Sequence, residues 1–352
     1  MDEIAVRRAA CTDTFLGNGF GRPADLLASI GDDVEPDLYG DGGVVAELER
    51  EVAAVLGKPA AVFLPSGTMA QAAALRVHAD TRGSRTVLWH PYCHVARHEH
   101  EGFARMHGLV GRSVGDLTRL LTLDDLQAVA EPVAALLLEL PQRDLGGQLP
   151  PFDDLVAQTS WARDRGAAVH LDGARLWEAT AGYRRAPSDI AALFDTVYVS
   201  FYKGVGALPG CCVAGSAAEI AQVKEWRRRL GGTLFALWPA AASARNRLPG
   251  ALAEMPARME HAIAIAAALE EVPGVRVLPS PPQTPMMHIW LPTTAGRYAE
   301  NAKRLAEADK LWVSPRAAPT ALPGTVTVEL TVGSATLRHN PSFISATFAR
   351  LL

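Results

Sequence analysis

The feature that most constrains the fold is an alternation of short apolar runs with longer helical patterns, which extends from Val44 to about Gly215. Each run is mostly continuous rather than alternating with polar residues, as expected of strands that are buried on both faces. The stretches between them, such as "VVAELEREVAAVLG" and "DDLVAQTSWARDRG", have helical spacing and end at glycine. The pattern predicts an α/β fold in which a mostly parallel sheet lies between helices. The predicted strands are "AAVFL" (60–64), "TVLW" (86–89), "VAALLL" (133–138), "AAVHL" (167–171), "TVYVS" (196–200) and "CCVAG" (211–215).

The rhythm changes in the last third of the chain. A long helical region covers roughly 216–272, with predicted interruptions near Pro239 and Pro249. Short strand candidates follow at "MMHIWL", "LWV" and "TVTVEL", with helices at about 297–309 and 340–351. This predicts a smaller C-terminal α+β domain. The expected division is an N-terminal segment at 1–36, a large domain at 37–255 and a small domain at 256–352.

Composition limits the functional class. The 352 residues are 49% hydrophobic, enough for substantial buried cores, and the formal net charge is −4 without a long block of one sign. We therefore expect neither a nucleic-acid surface nor a membrane span, because no run of roughly 18 apolar residues occurs. The N-terminus lacks the apolar core of a signal peptide, and the cysteines form no regular framework. The predicted location is cytoplasmic.

A first polar stretch follows a predicted strand at "LPSGTMAQ". There the strand runs into Ser66, Gly67 and Thr68 and then into a helical pattern. A strand-to-helix turn presents backbone N–H groups and the positive end of the helix dipole, which together can bind a phosphate. Ser-Gly-Thr is also an ordinary helix cap, so this turn by itself leaves both interpretations open.

A second polar stretch, "AAVHLDGARLWEA", brings Asp172 to the end of a strand and Arg175 three residues later. Ligands of open parallel sheets bind beyond the carboxyl ends of the strands. A carboxylate there can hold a protonated ring nitrogen, ligate a metal or bind a sugar hydroxyl. A structural salt bridge between Asp172 and Arg175 is equally compatible with the sequence.

The third stretch, "VYVSFYKGVGALPGC", places Lys203 between Tyr202 and Gly204 after a buried strand. Desolvation lowers the pKa of an amine, and this favours attack on an aldehyde carbon, although a single lysine can also extend to solvent. A phosphate turn, an acidic partner for a ring nitrogen and such a lysine are the three anchors of pyridoxal phosphate. Together they predict a pyridoxal phosphate site.

At these residues the sequence resembles the threonine aldolase and β-eliminating lyase family of fold-type-I pyridoxal phosphate enzymes. The resemblance spans most of the chain and is strongest across 37–75 and 165–232, in "DLYGDGGVVAELEREVAAVLGKPAAVFLPSGTMAQ", "HLDGARLWEA", "SFYKGVGALPG" and "EWRRRLGG". It implies a homo-oligomer, because the family usually forms tetramers of tight dimers.

The resemblance also implies roles for individual residues. Lys203 forms the internal aldimine, Asp172 pairs with the pyridine nitrogen, and Arg175 lies beside the ring and its phenolic oxygen. Gly67 and Thr68, with Ser66, hold the phosphate. The remaining implied residues are His94, which stacks on the cofactor ring, its companion Glu99, the active-site Tyr39, and Asp41, which organises the Tyr39 loop.

Three positions depart from the family pattern. Gln142 stands where a second active-site histidine is usual, and Phe235 stands where an arginine normally approaches the cofactor phosphate. Glu329 aligns with the arginine that binds the substrate carboxylate. An ordinary α-carboxylate would meet a like charge there, which costs affinity. The missing cation would then come from Arg316, or from Arg245 or Arg247; alternatively Glu329 is a surface carboxylate.

The sequence thus predicts a pyridoxal phosphate lyase acting on an amino acid, with aldol cleavage of a β-hydroxy-α-amino acid ahead of β-elimination or a transaldol reaction. Two other interpretations remain open. His94 and His98 are four residues apart, as in helical zinc sites, although no metal is expected here. A degenerate, non-catalytic partner subunit is the second, and intact Lys203, Asp172 and Arg175 argue against it.

Overall fold

The computed structural model describes residues 3–352 as an α/β protein. Its strands are β1 (Ala60–Leu64), β2 (Thr86–Trp89), β3 (Val110–Ser113), β4 (Ala135–Glu139), β5 (Ala168–Gly173), β6 (Thr196–Ser200), β7 (Cys211–Gly215), β8 (Arg276–Leu278), β9 (Met286–Leu291), β10 (Ala318–Pro319) and β11 (Val326–Thr331). Its α-helices are α1 (Glu3–Ala10), α2 (Pro23–Ala28), α3 (Gly43–Leu56), α4 (Gly67–Arg82), α5 (His94–His98), α6 (Gly102–Arg105), α7 (Leu123–Gln127), α8 (Phe152–Asp164), α9 (Leu176–Tyr183), α10 (Pro187–Ala191), α11 (Ala217–Arg229), α12 (Trp238–Glu270), α13 (Ala295–Ala308) and α14 (Pro341–Ala349).

Seven strands form one sheet in the order β1-β7-β6-β5-β4-β2-β3. All neighbours from β6 to β3 pair in parallel, whereas β7 runs antiparallel to both β1 and β6. Strand β1 therefore points the same way as the parallel strands. The predicted α/β class with a mostly parallel sheet is confirmed, and β7, "CCVAG", is its one antiparallel member among the described strands.

The flanking helices begin and end where local chemistry favours it. Helix α3 buries Val45, Leu48 and Val52 on one face and ends at Gly57, whose φ of 61° lies in the left-handed region. Helix α11 begins with a capping box in which Ser216 and Glu219 satisfy each other's backbone N–H groups. These helices cover apolar faces of the sheet, and the core lies along β1, β2 and β4 to β7.

A second sheet has four antiparallel strands in the order β10-β11-β9-β8. Along β11 the buried residues Val326, Val328 and Leu330 alternate with half-buried ones, as expected when one face packs against a core. Its core includes Ile289 and Phe348. The predicted strands "MMHIWL" and "TVTVEL" and the two C-terminal helices are present, with bounds that differ by at most two residues from those expected.

The described chain divides into two compact units. The larger comprises Arg22–Asp144 and Leu149–Ala253. The smaller comprises residues 3–21, Leu145–Gln148 and Glu254–Leu352. The domain boundaries given by the sequence stay a prediction.

Several local predictions are wrong. "LWV" is not a strand, because Leu311 makes a single bridge to Asp13 and the pairing goes no further. Helix α12 continues through Pro249, where buried Leu248 and Ala251 hold the helix despite the missing N–H. Strand β3 was missed because its sequence, "VGRS", is exposed along its whole length and carries no apolar pattern. Within residues 3–352, no helix is both long and apolar enough to cross a membrane.

Candidate active site

The carboxyl ends of β1, β5 and β6 meet at one edge of the seven-stranded sheet, since these strands point the same way. A cavity of about 240 Å³ opens there, and its described lining belongs to the larger unit. The structure brings six of the predicted site residues together in it, together with the predicted companion Glu99. These six are Ser66, Gly67, Thr68, His94, Asp172 and Lys203.

The predicted phosphate turn is the start of α4. Ser66 has an extended backbone, and its side chain accepts no capping hydrogen bond from the helix. The first N–H groups of this 16-residue helix are thus left for another acceptor. A Cβ on Gly67 would lie 2.3 Å from the Tyr198 hydroxyl oxygen, so only glycine fits at this turn. The turn can hold an anion such as a phosphate.

Asp172 lies near the end of β5 and is 2% exposed. Its Oδ1 accepts a hydrogen bond of 3.1 Å from the backbone N–H of Ala174, which orients the carboxylate at the cavity wall. On the neighbouring strand, Glu139 is its partner in register. Burial, followed by the charge of Asp172, raises the pKa of Glu139 to about 8. The edge therefore carries, beside Asp172, a Glu139 carboxyl group that is protonated near neutral pH.

Lys203 follows β6 in a turn and is half-buried. Burial lowers the pKa of its amine, while the negative charge of Asp172 opposes this shift. Its Nζ lies 5.6 Å from the centre of the Tyr202 ring. A Cβ on Gly204 would lie 2.3 Å from a carboxylate oxygen of Glu178, so the turn packs closely on α9. An amine with a lowered pKa in a cavity is suited to nucleophilic attack on a carbonyl group.

His94 begins α5 and pairs with Glu99, whose side chain is 2% exposed. The distance between His94 Nδ1 and Glu99 Oε1 is 3.2 Å. The hydrogen bond to Glu99 raises the pKa of His94, and burial raises the pKa of Glu99. Because the carboxylate accepts the Nδ1 proton, Nε2 is left as the nitrogen that can take up or give a proton in the cavity.

Tyr39 does not line this cavity. It is 50% exposed, has a φ of 54°, and its ring meets that of Phe235 edge-on at 5.4 Å. It belongs to a separate pocket of about 80 Å³ with Asp41 and Lys224. Asp41 pairs with Lys224, and the hydrogen bond from this lysine lowers the pKa of Asp41. Tyr39, Asp41 and Phe235 thus form a surface loop cluster within the larger unit.

Gln142 and Arg175 lie near the site without lining the 240 Å³ cavity. Gln142 is 4% exposed and donates from Nε2 to Glu139 Oε2 at 3.2 Å. Arg175 immediately precedes α9, and its charge acts on Lys203 by lowering the amine pKa. Gln142 therefore acts on the site through Glu139, and Arg175 acts on it through Lys203.

The residues proposed to bind a substrate carboxylate are not among the described lining residues of the 240 Å³ cavity. Glu329 and Arg316 belong to the smaller unit; Glu329 Oε2 lies 4.0 Å from Nε2 of His288. Arg245 donates hydrogen bonds to the carboxylates of Glu47 and Glu51. Arg247 donates to the backbone carbonyl of Asp25 at 3.2 Å. The roles given to these four residues stay predictions.

Sequence reasoning missed three polar residues of the cavity lining and one neighbour. Gln71 lies one helical turn after Thr68, and Tyr198 lies on the same face of β6 as Ser200, so helical and strand spacing could have indicated both. Tyr202, next to Lys203, was noted only as a flank. Glu139 could be found only from the strand order, which places β4 beside β5.

The two histidines of α5 do not form part of a recognisable metal centre. The rings of His94 and His98 lie 5.0 Å apart. Across the part of the chain that the structure describes, no group of three or more His, Cys, Asp or Glu side chains is placed to hold a metal ion.

Comparison with known proteins points to one family. The family model of the beta-eliminating lyases matches residues 22–292. An Exiguobacterium sp. 255-15 crystal structure, provisionally named aromatic amino acid beta-eliminating lyase/threonine aldolase, is 35% identical with a TM-score of 0.92, covering 99% of this chain and 98% of its own. A Listeria monocytogenes EGD-E structure, provisionally named L-allo-threonine aldolase, is 34% identical with the same TM-score and coverage. Low-specificity L-threonine aldolase 1 of Arabidopsis thaliana is 27% identical, covering 81% of this chain and 83% of its own.

The cavity fits the cofactor that this family uses, pyridoxal phosphate. A glycine-restricted helix start suits a phosphate, a buried carboxylate suits a protonated ring nitrogen, and a lysine with a lowered pKa suits an aldehyde. The family match covers more than half of the chain, and the site chemistry agrees with it. The chain belongs to the beta-eliminating lyase and threonine aldolase family of fold-type-I pyridoxal phosphate enzymes and is a threonine aldolase-like carbon–carbon lyase.

Proposed function

We propose that this protein binds pyridoxal phosphate in the 240 Å³ cavity and cleaves a β-hydroxy-α-amino acid to an aldehyde and a smaller amino acid. The observation that supports this most directly is the meeting of Lys203, Asp172 and the Gly67 turn at one sheet edge. The same observation argues against a non-catalytic partner subunit, because the three cofactor anchors are intact.

Each anchor has a separate task. The N–H groups at the start of α4, with Ser66 and Thr68, hold the phosphate. Asp172 holds the pyridine nitrogen in its protonated form, and Lys203 binds the aldehyde carbon through its amine. When bound, the cofactor withdraws electrons from the bonds of the substrate's α-carbon.

The base for the β-hydroxyl proton is His94 in this proposal. It lines the cavity, and its Nδ1 is held by Glu99, so Nε2 is the free site for a proton. Gln142 cannot take this role, because a carboxamide is not a base near neutral pH and its Nε2 already donates to Glu139. Glu99 raises the pKa of His94 and so strengthens it as a base.

The substrate site is the diverged part of the proposal. Gln142 replaces a family histidine and Glu329 aligns with a carboxylate-binding arginine, so we expect poor turnover of free threonine and allo-threonine. A bulkier β-hydroxy amino acid, or one that carries a cationic group, should be cleaved faster. A homo-oligomer, dimer or tetramer, is the expected assembly.

The test is reconstitution with pyridoxal phosphate, borohydride reduction and peptide mapping, followed by a panel of β-hydroxy amino acids with aldehyde release as the readout. We expect the reduced label on Lys203 and aldehyde from a bulky substrate. Lys203→Ala should lose both while its thermal unfolding stays close to that of the wild type. A label on another lysine would overturn the site assignment. Release of a keto acid and ammonia from a substrate with a β-leaving group, without aldehyde release, would favour β-elimination instead.

A further inference from the structure

A buried chain of hydrogen bonds leads from the cavity wall into the core. Gln71 lines the cavity and is 2% exposed. Its Oε1 lies 2.6 Å from Nε2 of His170, and Nδ1 of His170 lies 2.7 Å from Oγ1 of Thr196. The same oxygen lies 2.7 Å from Nε2 of His78. His78, His170 and Thr196 are 0% exposed, so each of these polar groups depends on the next for its hydrogen bonds.

The local fold places these groups in contact. Gln71 and His78 are seven residues apart on α4, so they lie on the same helix face two turns apart. His170 and Thr196 are partners in register on the parallel strands β5 and β6. His170 and Asp172 are two residues apart on β5 and therefore point to the same face of the sheet. The chain thus begins beside Asp172.

The donors and acceptors of this hydrogen-bond chain can be assigned. A carboxamide oxygen only accepts, so Nε2 of His170 donates to Gln71. Burial lowers the pKa of His170 to about 3 and that of His78 to about 4, so both rings are neutral near pH 7 and each has one donor and one acceptor. Nδ1 of His170 then accepts the proton of Thr196, and Oγ1 of Thr196 accepts from Nε2 of His78.

The far end of this hydrogen-bond chain lies beside the start of α11. Nδ1 of His78 lies 3.7 Å from Oε1 of Glu219, and Oε2 of Glu219 accepts from Ser216 in the capping box of α11. No hydrogen bond joins Nδ1 of His78 to this carboxylate, because the neutral ring carries its proton on Nε2. The hydrogen-bond chain therefore ends at His78, and its other end is the Gln71 amide at the cavity.

We propose that Gln71 is a cofactor-positioning residue and that this buried chain determines which way its amide points. Because His170 holds Oε1, the amide nitrogen is the group that faces the cavity, where it donates to bound pyridoxal phosphate. Gln71 follows Thr68 by one helical turn, so its donor lies on the same helix face as the phosphate turn. This inference rests on the proposed cofactor site.

The test measures the dissociation constant of pyridoxal phosphate from the full-length, cofactor-free protein, together with the visible absorption maximum of the bound form. Gln71→Glu keeps the acceptor for His170 and replaces the donor by a carboxylate oxygen, so we expect about tenfold weaker binding or more. Gln71→Met removes the donor without adding a charge and should weaken binding about threefold to tenfold.

The chain itself is tested at Thr196. Thr196→Val removes the bridging hydroxyl but keeps the shape of the side chain, so we expect weaker cofactor binding and a shifted absorption maximum, while Thr196→Ser should restore both. The matched control is Thr159→Val, because Thr159 is also 0% exposed and its hydroxyl donates to a helical carbonyl, that of Val156, in α8. A merely structural role would lower the thermal stability in both valine variants and leave the absorption of both unchanged.

The outcomes distinguish failure of the proposed cofactor site from failure of the positioning role of Gln71. If the wild type binds no pyridoxal phosphate, the proposed function and this inference both fall. If the wild type binds it, and Gln71→Met and Thr196→Val bind as tightly as Thr159→Val with the same absorption maximum, the positioning role is overturned while the cofactor site stands.

Discussion

Each of the two sheets contains a pair of ionisable residues that face each other on neighbouring strands, and the two pairs differ in their charges. In the seven-stranded sheet, Glu139 faces Asp172, so a half-buried carboxyl group lies beside a buried one. In the four-stranded sheet, Glu329 faces His288, a complementary pair whose side chains remain 26% and 17% exposed. In the first pair, burial and the charge of Asp172 destabilise the ionised form of Glu139, and the pair is found at the edge where the cavity opens. The second resembles ordinary cross-strand pairing, which stabilises a sheet. This difference indicates that the reactive part of the molecule is the sheet edge at which two acidic side chains, Glu139 and Asp172, are held together.

The strongest test of this comparison is Asp172→Asn. The carboxamide keeps nearly the same volume, so folding should change little, while the pyridine nitrogen loses its negative partner. We expect the rate of aldehyde release to fall on the order of 10³-fold. The measurement is kcat with the best substrate of the panel, with Asp154→Asn, an exposed carboxylate on α8, as the control. Wild-type turnover by Asp172→Asn would reduce Asp172 to a structural strand end.

The reverse behaviour is expected in the four-stranded sheet. Ile289 is 0% exposed in the core of the smaller unit, and Ile289→Ala should lower the free energy of unfolding by about 2–5 kcal/mol. Cofactor absorption should not change. Urea unfolding and cofactor titration of the same preparation check both parts, with Ile263→Ala, whose side chain is 42% exposed, as the control. Altered cofactor absorption in Ile289→Ala alone would break the division between a reactive and a packing sheet.

The buried carboxylate pair predicts a pH dependence. The pKa of Glu139 is raised to about 8, so between the unfolded value near 4.5 and pH 8 the folded state holds a proton that the unfolded state has lost. The stability contributed by this group is therefore fully present below pH 4.5, falls as the pH rises towards 8, and does not fall further above the folded pKa.

Glu139→Gln should remove this fall. Urea unfolding of cofactor-free protein at pH 5 and pH 8 measures it, and Glu300→Gln, an exposed carboxylate on α13, is the control. An equal pH dependence in the wild type and Glu139→Gln would show that Glu139 ionises normally.

The smallest expected effect concerns Glu329. If Glu329 repels a substrate carboxylate, Glu329→Arg should lower the KM for threonine several-fold, which corresponds to roughly 1 kcal/mol when the charges are well screened. The assay is threonine cleavage at a series of salt concentrations, since screening weakens the effect. Efficient wild-type cleavage of threonine with no gain from the arginine would move the carboxylate site to another residue, and Arg316→Ala is then the variant to measure.

The features that could be predicted from the sequence are those that depend on residues close together along the chain. Continuous apolar runs identified strands β1, β2 and β4 to β7, and the residues that follow three of these strands identified Gly67, Asp172 and Lys203. Strand β3 was missed, because an exposed edge strand containing glycine has no periodic apolar signal.

Contacts that depend on strand order could not be predicted. The register of Glu139 with Asp172 follows from β4 lying beside β5, and the bonds of Thr196 to His170 and His78 follow from α4 packing over β5 and β6. Sequence spacing assigns a residue to a face of its own element, but it does not say which element covers that face. Gln71 was missed for this reason, although its spacing from Thr68 was available.

The contact between the α4 start and β6 has an evolutionary consequence. A Cβ at position 67 would lie 2.3 Å from the Tyr198 hydroxyl and 3.0 Å from the ring carbon that bears it. Substitutions at these two positions are therefore not independent, and a relative with alanine at 67 should carry a smaller residue than tyrosine at 198. A substitution of Gly67 alone would therefore be selected against. The same substitution would be tolerated if residue 198 had already changed to a smaller side chain. The order in which these two sites can change is thus restricted by one interatomic distance.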